Sequence, residues 1–548
     1  MAGIITALEP SGTPPKVHEK SPAPRPSSLD GLTVYLVDCR FDDSAKLLKQ
    51  IGVWFSENMP TVTVKQVALS GTYATNDPAL WEKIKADGAG AILGVGHCST
   101  CAPAVSTHAI TLETNYNVPT VAIHTEKFSR VVSSVTKMAG LPEAPLAFVP
   151  QPVMGKTDAE LYAYVNGMDP IRGVPVMDEV IRALTTAPEP VAAKATARQP
   201  IIKRRLVTAA SADELQEMFL ERNWTDKLPV VLPTEERVEE MLAATSRRPD
   251  EVVGQLEPTK NRGPWSFTVE NVAVNAVMAG AKPAYFPVIL ALAASGQTAR
   301  GSTSSSGSAM VVVNGPIRDE IAMNSGTGAM GPYNHANATI GRAYGLLSQN
   351  LQGGSVPGET FMGSQGNGHT YNNLTFAENE ERSPWDALHV GLGFKASDSV
   401  ATVFYGGRST TFCLGLREDY WREHVKTMLL GTDTVTAPVL LLDPIAAQQF
   451  VERGGFDTRD ALIDWLYETA KMPAGQYWDY QLIQNYVYPR ASGGEEPMAS
   501  RLVDDPHQEV NIFSRNDIQV VVVGGETNGY WQIIGARRSA SVLIDDWR

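Results

Sequence analysis

Two cysteines three residues apart follow a Gly-rich apolar segment, and they are the residues best suited to do chemistry. Cys98 and Cys101 are two of only four cysteines in 548 residues, and they come after the run 89–93 and the Gly-Val-Gly-His segment 94–97. The thiolate is the reactive form of cysteine, and a turn that opens a helix lowers the thiol pKa by directing backbone N–H groups at the sulfur. The pattern therefore predicts sulfur chemistry here. Two small buried residues at a tight turn are the alternative interpretation.

The surrounding residues predict the elements that must position this turn. Apolar runs alternate with segments of helical spacing, an arrangement typical of βαβ units and a parallel sheet. We therefore predict a doubly wound, mostly parallel, Rossmann-like α/β domain. Its predicted strands lie at 33–37, 61–67, 91–93 and 119–123, and its predicted helices at 44–58, 77–86, 103–115 and 128–139.

Such a sheet binds ligands outside the carboxyl ends of its strands, so residues that follow different strands should meet there. Cys39 follows the first strand, His97 and Cys98 the third, and His124 ends the fourth. A buried packing residue is the alternative for Cys39, and a hydrogen-bonded loop histidine is the alternative for His124. The predicted catalytic residues are Cys98, Cys101, His97 and His124, and the predicted substrate-binding residues of this edge are Cys39, Ser99, Thr100 and Thr125.

The rest of the chain divides by composition. Residues 1–29 are rich in proline and predict a flexible tail, and 30–184 form the α/β domain with the cysteine pair. Residues 185–203 carry few large apolar side chains and predict a linker. Ser211 begins a helix with Glu214 three residues on, so 204–548 are expected to form a larger mixed α/β (α+β) domain, rich in helices and loops.

This second domain combines apolar helices, expected at 269–279, 285–295 and 336–347, with long Gly/Asn/Ser-rich loops at 301–308, 324–337 and 353–373. Long polar loops between buried helices are uncommon and usually functional. Side-chain amides can bind a carboxylate, amide or phosphate, although helix capping explains them as well. A buried glutamate in 378–381 could act as a general acid or base. The predicted substrate-binding residues are Asn271, Asn314, Asn324, Asn334, His335, Glu378 and Trp385.

Composition narrows the function classes. The chain is 43% hydrophobic and 19% charged with a net charge of −14, which argues against nucleic acid or an anionic membrane surface as the main partner. It has no apolar run of 18 residues and no basic flank before its first apolar residues, so neither a membrane span nor a signal peptide is expected. Four cysteines make no disulfide scaffold, and we expect a cytoplasmic location.

The segment Gly94-Val-Gly-His-Cys98-Ser-Thr-Cys101-Ala-Pro resembles the motif of the UGSC family of (seleno)proteins. In that family selenocysteine, Gly, Ser and Cys follow a Gly-rich strand end; here Cys98 takes the selenocysteine position, Ser-Thr replaces Gly-Ser, and Cys101 matches the last residue. The segment 119–125 (Pro-Thr-Val-Ala-Ile-His-Thr) is also similar, and the resemblance covers about 30–185. Residues 210–548 resemble the uncharacterised region that often accompanies this domain.

The resemblance implies the α/β fold and a sulfur-based site, with a strong nucleophile useful at position 98. A distant analogy is to the selenoprotein B subunits of glycine- and proline-type reductases, which break a bond next to a carboxylate with a chalcogen nucleophile. Unlike them, this chain has no evident pyruvoyl-forming site.

Three hypotheses remain open from the sequence. The first is an enzyme in which Cys98 attacks a small polar metabolite and Cys101 resolves the product, by reductive cleavage or by thiol-assisted elimination or addition. A thiol or an electron-donor protein would then be a partner, and a homo-oligomer is compatible with the sequence. The second is a zinc-dependent lyase, hydratase or hydrolase with Cys98, Cys101 and Cys39 or His124 as ligands. The third is a redox-sensing protein that binds a small ligand.

Overall fold

The structure is a computed structural model that describes residues 4–188, 205–256, 264–301, 304–351, 358, 361 and 363–548. Its main features are a five-stranded sheet in the N-terminal part and a larger six-stranded sheet in the C-terminal part, each covered by helices. Both parts are mixed α/β, which confirms the predicted fold class. Among the described residues, no helix combines the length and apolar character needed to cross a bilayer.

The N-terminal part alternates strands and helices from residue 33 to residue 185. The sequence prediction is confirmed for four strands and four helices of this part, with ends that differ by no more than three residues. Its strands are β1 (Ile5–Leu8), β2 (Thr33–Asp38), β3 (Thr63–Ala68), β4 (Gly90–Gly96), β5 (Thr120–Thr125) and β6 (Leu146–Val149). Its helices are α1 (Ser44–Asn58), α2 (Pro78–Asp87), α3 (Cys101–Asn115), α4 (Ser129–Met138), α5 (Asp158–Val165) and α6 (Val176–Thr185), with a 3₁₀ turn at Glu126–Phe128.

The order of the N-terminal sheet is β3-β2-β4-β5-β6, and every pair is parallel. The strands β2, β4 and β5 are therefore neighbours, as expected for a doubly wound sheet. Every residue of β4 is buried, because helices cover both faces of the sheet. This topology brings the residues after β2, β4 and β5 to one carboxyl edge.

The C-terminal part is built on a mixed sheet with the order β11-β10-β12-β17-β13-β16. Helices pack on both of its faces. Its strands and those of the small sheets are β7 (Leu206–Ala209), β8 (Val252–Leu256), β9 (Trp265–Thr268), β10 (Ser308–Asn314), β11 (Thr375–Ala377), β12 (Val400–Leu414), β13 (Pro438–Leu442), β14 (Lys471–Pro473), β15 (Glu509–Asn511), β16 (Gln519–Val522) and β17 (Tyr530–Leu543).

The three predicted apolar helices of this part are present as α9 (Val269–Met278), α10 (Phe286–Ala294) and α12 (His335–Leu351). Ser211 accepts a hydrogen bond from the Glu214 N–H at 3.2 Å, as its N-cap position predicts. The helices are α7 (Ala212–Glu221), α8 (Glu235–Leu242), α9 (Val269–Met278), α10 (Phe286–Ala294), α11 (Ile317–Glu320), α12 (His335–Leu351), α13 (Leu388–Gly391), α14 (Trp421–Leu430), α15 (Pro444–Glu452), α16 (Arg459–Thr469), α17 (Ala474–Asp479), α18 (Gln481–Tyr486) and α19 (Tyr488–Ser492). Further 3₁₀ turns are Pro283–Tyr285, Gly368–Tyr371, Glu380–Arg382, Ala499–Arg501, Arg515–Asp517 and Asp545–Trp547.

The N-terminal segment differs from the flexible tail predicted for residues 1–29. From residue 4 it lies along both parts of the chain: β1 pairs with β7, and Thr13 forms a bridge with Ser266. Further on, the Ala23 N–H donates to Glu113 at 2.7 Å, and Arg25 forms a buried ion pair with the same carboxylate. Long-range hydrogen bonds thus order a proline-rich segment that has little local structure of its own. The predicted linker lies outside the described residues from 189 to 203, and the predicted domain boundaries stay predictions.

Replacing Glu113 by alanine is expected to destabilise the N-terminal part by about 3–5 kcal/mol. Glu113 is fully buried and also accepts hydrogen bonds from the Thr120 N–H and hydroxyl at 2.8 and 2.9 Å. Its loss therefore leaves the buried charge of Arg25 without its ion pair and several buried donors without an acceptor. Urea unfolding measures the change. Lys49→Ala, which breaks an exposed ion pair with Asp158, is the control and should change stability by less than about 1 kcal/mol. Equal effects of the two variants would contradict this account of the segment.

Candidate active site

The cysteine turn, residues 97–100, joins β4 to α3. Cys98 is buried, with 5% of its surface exposed, and its Sγ accepts a hydrogen bond from the Cys101 N–H at 2.9 Å. Cys101 is the first residue of α3, and the Thr100 side chain makes no capping bond to the helix. The sulfur therefore occupies the place of a capping oxygen, where free N–H groups and the helix dipole favour negative charge.

The pKa values of the two thiols are shifted in opposite directions. Burial opposes ionisation of Cys98, but hydrogen bonds from the Cys101 thiol, the Thr100 hydroxyl and two backbone N–H groups outweigh it and lower the pKa of Cys98. Burial, the bond to Cys98 and the charge on Cys98 all raise the pKa of Cys101. The arrangement thus favours one thiolate, on Cys98, beside one protonated thiol.

The Thr100 hydroxyl lies between two partners. Its Oγ1 is 3.3 Å from Cys98 Sγ and 3.0 Å from the hydroxyl of Tyr73. Tyr73 belongs to the loop that follows β3, and its ring packs edge-on against Phe41, with 5.4 Å between the ring centres. Neither Tyr73 nor Phe41 was among the predicted site residues. The rule that places ligands at the carboxyl edge could have found them, because they follow β3 and β2.

His97 and His124 are both buried at this edge, but the hydrogen bond of each ring goes to a group other than the two cysteines. His97 Nε2 lies 3.2 Å from the Phe41 carbonyl and 3.9 Å from Asp42, and burial lowers its pKa. His124 Nε2 lies 3.1 Å from the Ser106 hydroxyl, and burial lowers its pKa to about 3. Both rings are therefore neutral near pH 7, and their predicted roles in tuning Cys98 or donating a proton stay predictions.

The sequence of this part of the chain matches a known family. The family model of the UGSC family covers residues 6–172. Residues 6–172 thus match the UGSC family, and we call them the UGSC domain. The match begins well before residue 30, so the UGSC domain includes the N-terminal segment that composition alone predicted to be a tail. No curated protein and no solved structure matches the chain.

The edge of the UGSC domain does not provide a metal-ligand set. Within the described ranges, no three His, Cys, Asp or Glu side chains are grouped so that they could hold a metal ion. Cys39 is fully buried, and its Sγ lies 3.9 Å from the backbone carbonyl oxygen of Val37. Burial raises the pKa of the Cys39 thiol. The donor set expected for zinc, Cys98 and Cys101 with Cys39 or His124, therefore does not fit the metal.

Two segments of the C-terminal part contact this edge of the UGSC domain. The Ser99 N–H donates to the Ser304 hydroxyl at 3.2 Å, from the loop 301–308 that the sequence predicts to be functional. On another side Asn485 exchanges hydrogen bonds of 2.9 and 2.7 Å with Asp42, and the neighbouring Tyr486 ring lies 6.1 Å from the rings of Phe41 and Tyr73. The C-terminal part thus contacts the cysteine turn at Ser99 and the loop after β2 at Asp42, through residues that were not among the predicted site residues.

The predicted C-terminal residues lie in other contacts. Asn271 completes the capping box of α9, Asn324 and Asn334 both bond to Asn337, and the His335 ring packs near Tyr285. In these four positions the structure shows local roles in turns, caps and packing. The substrate contacts predicted for them stay predictions.

Asn314, Glu378 and Trp385 instead gather near Arg459. Glu378 is fully buried, accepts a hydrogen bond from Asn314 at 2.6 Å, and pairs with Arg459 at 2.8 Å. Trp385 and Arg459 line a cavity of about 590 Å³ to which no residue of the UGSC domain contributes. Three of the predicted C-terminal residues thus gather beside this cavity, apart from those at the cysteine turn.

Proposed function

We propose that this chain is a thiol-dependent enzyme in which Cys98 is the nucleophile and Cys101 the resolving thiol. The observation that carries the proposal is the helix N-terminus at Cys98: the first N–H of α3 lies 2.9 Å from its sulfur. Such a position stabilises a thiolate and is typical of reactive cysteines. The substrate class we propose is a small metabolite that carries a carboxylate or an amide.

The opposite pKa shifts of the two thiols support an order of events. While Cys98 is a thiolate, its charge and its hydrogen bond keep Cys101 protonated. Once Cys98 has bonded to carbon, that charge is gone and Cys101 can ionise more readily. Cys101 then becomes the attacking thiolate of the second step.

In the reductive reaction the two thiols are oxidised to a disulfide and supply the two electrons that the substrate takes up. The Cys98 thiolate displaces a leaving group from the activated carbon and forms a thioether. The Cys101 thiolate then attacks the Cys98 sulfur, so a disulfide forms and the carbon–sulfur bond breaks with its electron pair on carbon. A neighbouring carboxylate or amide stabilises that pair until a proton arrives, which is why we propose this substrate class. An external dithiol or electron-donor protein must reduce the disulfide.

Thiol-assisted elimination or addition uses the same first bond without net oxidation. In that version Cys98 adds to the activated carbon and leaves again, and no disulfide forms. The oxidation state of the cysteine pair after turnover separates the two versions.

Alkylation of the four cysteines as a function of pH tests the proposal. The intact protein is treated briefly with iodoacetamide from pH 5 to 10, and mass spectrometry quantifies each cysteine. We expect the midpoint of Cys98 to lie below that of a free thiol, about 8.5, and below those of the other cysteines. Cys413 is the internal reference, because it is partly exposed and burial raises its pKa. A Cys98 midpoint at or above that of Cys413 would overturn the proposal.

A further inference from the structure

The residues around the cysteine turn form a continuous hydrogen-bonded chain that ends at the proposed nucleophile. Tyr73 Oη lies 3.0 Å from Thr100 Oγ1, which lies 3.3 Å from Cys98 Sγ. A threonine hydroxyl has one proton, so it can donate either to the phenol or to the sulfur. The state of Tyr73 therefore decides whether the thiolate receives that hydrogen bond.

The surroundings of Tyr73 keep its phenol protonated. Burial and the nearby groups Tyr486, Cys98 and Cys101 raise its pKa, so the phenol keeps its proton across the working range of pH. Its backbone carbonyl accepts a hydrogen bond from His108 Nε2 at 2.7 Å. His108 lies on α3, the helix that begins at Cys101, so the same helix fixes both ends of the chain of contacts.

We propose that Tyr73 is a positioning residue: its phenol donates to Thr100 and thereby directs the Thr100 proton at Cys98. This inference rests on the proposed role of Cys98 as a thiolate. It explains why Thr100, although it stands at the N-cap of α3, makes no side-chain bond to the helix. Hydrogen bonds in such a chain polarise one another and strengthen the last bond, the one to sulfur.

The test measures the pH midpoint of Cys98 alkylation by iodoacetamide in full-length variants. Thr100→Val removes the donor with little change of shape and should raise the midpoint by about one pH unit. Thr100→Ser keeps the hydroxyl and should stay close to the wild type. Tyr73→Phe should give a smaller rise in the same direction. Tyr486→Phe removes a phenol from the same aromatic cluster and is the matched control, expected to leave the midpoint unchanged.

The double variant Tyr73→Phe/Thr100→Val decides whether Tyr73 acts through Thr100. Its midpoint should equal that of Thr100→Val alone, because the hydrogen-bonded path from Tyr73 to the sulfur runs through the hydroxyl that is gone. Additive shifts, or a Tyr73→Phe midpoint equal to the wild type, would overturn the proposal. Thermal unfolding checks that each variant is folded, and Tyr73→Phe against Tyr486→Phe carries the test if Thr100→Val does not fold.

The wild-type midpoint separates this inference from the proposed function. If the wild-type Cys98 midpoint is not lowered, the nucleophile role fails and the positioning role fails with it. If it is lowered and neither Thr100→Val nor Tyr73→Phe moves it, only the positioning role fails.

Discussion

Replacing Cys98 by serine is expected to lower turnover by at least about a thousandfold, because the alcohol is a far weaker nucleophile than a stabilised thiolate. The assay incubates the protein with a panel of α-substituted carboxylic acids and amides, with dithiothreitol as the electron donor. Mass spectrometry follows which compound is consumed and what replaces it. Cys413→Ser removes a cysteine of the C-terminal part and should leave turnover unchanged. Consumption by Cys98→Ser at the wild-type rate would exclude Cys98 as the nucleophile.

The companion variant Cys101→Ser should separate the two chemical steps. If Cys101 resolves a thioether, its loss should trap the substrate-derived group on Cys98, visible as an added mass on the peptide that contains residue 98. Turnover without an adduct in Cys101→Ser would instead support elimination or addition, in which no second thiol is needed. Ligand binding without any chemical change in the wild type would favour the sensor hypothesis.

Replacing Gly96 by alanine is expected to lower the stability of the UGSC domain by about 3 kcal/mol, which corresponds to a fall in melting temperature of about 6–12 °C. A Cβ at this position would lie 2.0 Å from Nδ1 of His124 and 2.8 Å from Cα of Ala102, so either the ring or the start of α3 must move. The His124 ring is buried on all sides and cannot swing into solvent. Calorimetry of the purified variant measures the effect.

Gly94→Ala is the matched control, two residues earlier on the same strand. A Cβ there would meet side-chain atoms of Leu48 and Ile123 at 3.4 and 3.5 Å, which is ordinary packing distance. We expect a loss well below that of Gly96→Ala. A Gly96→Ala variant as stable as Gly94→Ala would show that the close approach of β4 to His124 can relax without loss.

The N-terminal sheet could be predicted closely because its signals are local. The predicted helix 44–58 has the same ends in the structure, and β2, β4 and β5 are neighbours, as is common in doubly wound sheets. The position of Cys98 at the carboxyl edge followed from the rule that segments after parallel strands meet at that edge. Within the N-terminal part no strand or helix was predicted after residue 139, so β6, α5 and α6 were missed.

The missed site residues depend on contacts between distant parts of the chain. Ser304 reaches Ser99 across about two hundred residues, and Asn485 reaches Asp42 across more than four hundred. No pattern within either segment indicates its partner. The asparagines of the C-terminal part are ambiguous for a different reason: an amide in a helix cap and one that binds a ligand have the same sequence signature, and Asn271 belongs to the capping box of α9.

The pairing of β1 with β7 has a consequence for how the fold assembles. Ile5 lies opposite Ala209, and Thr13 opposite Ser266, so the partners of this segment lie more than two hundred residues further along the chain. The sheet of the UGSC domain, whose strands connect over short distances, can assemble before those contacts form. Contacts of such high sequence separation are expected to form late in folding, so the segment 5–13 should join the two parts of the chain after the sheet has formed.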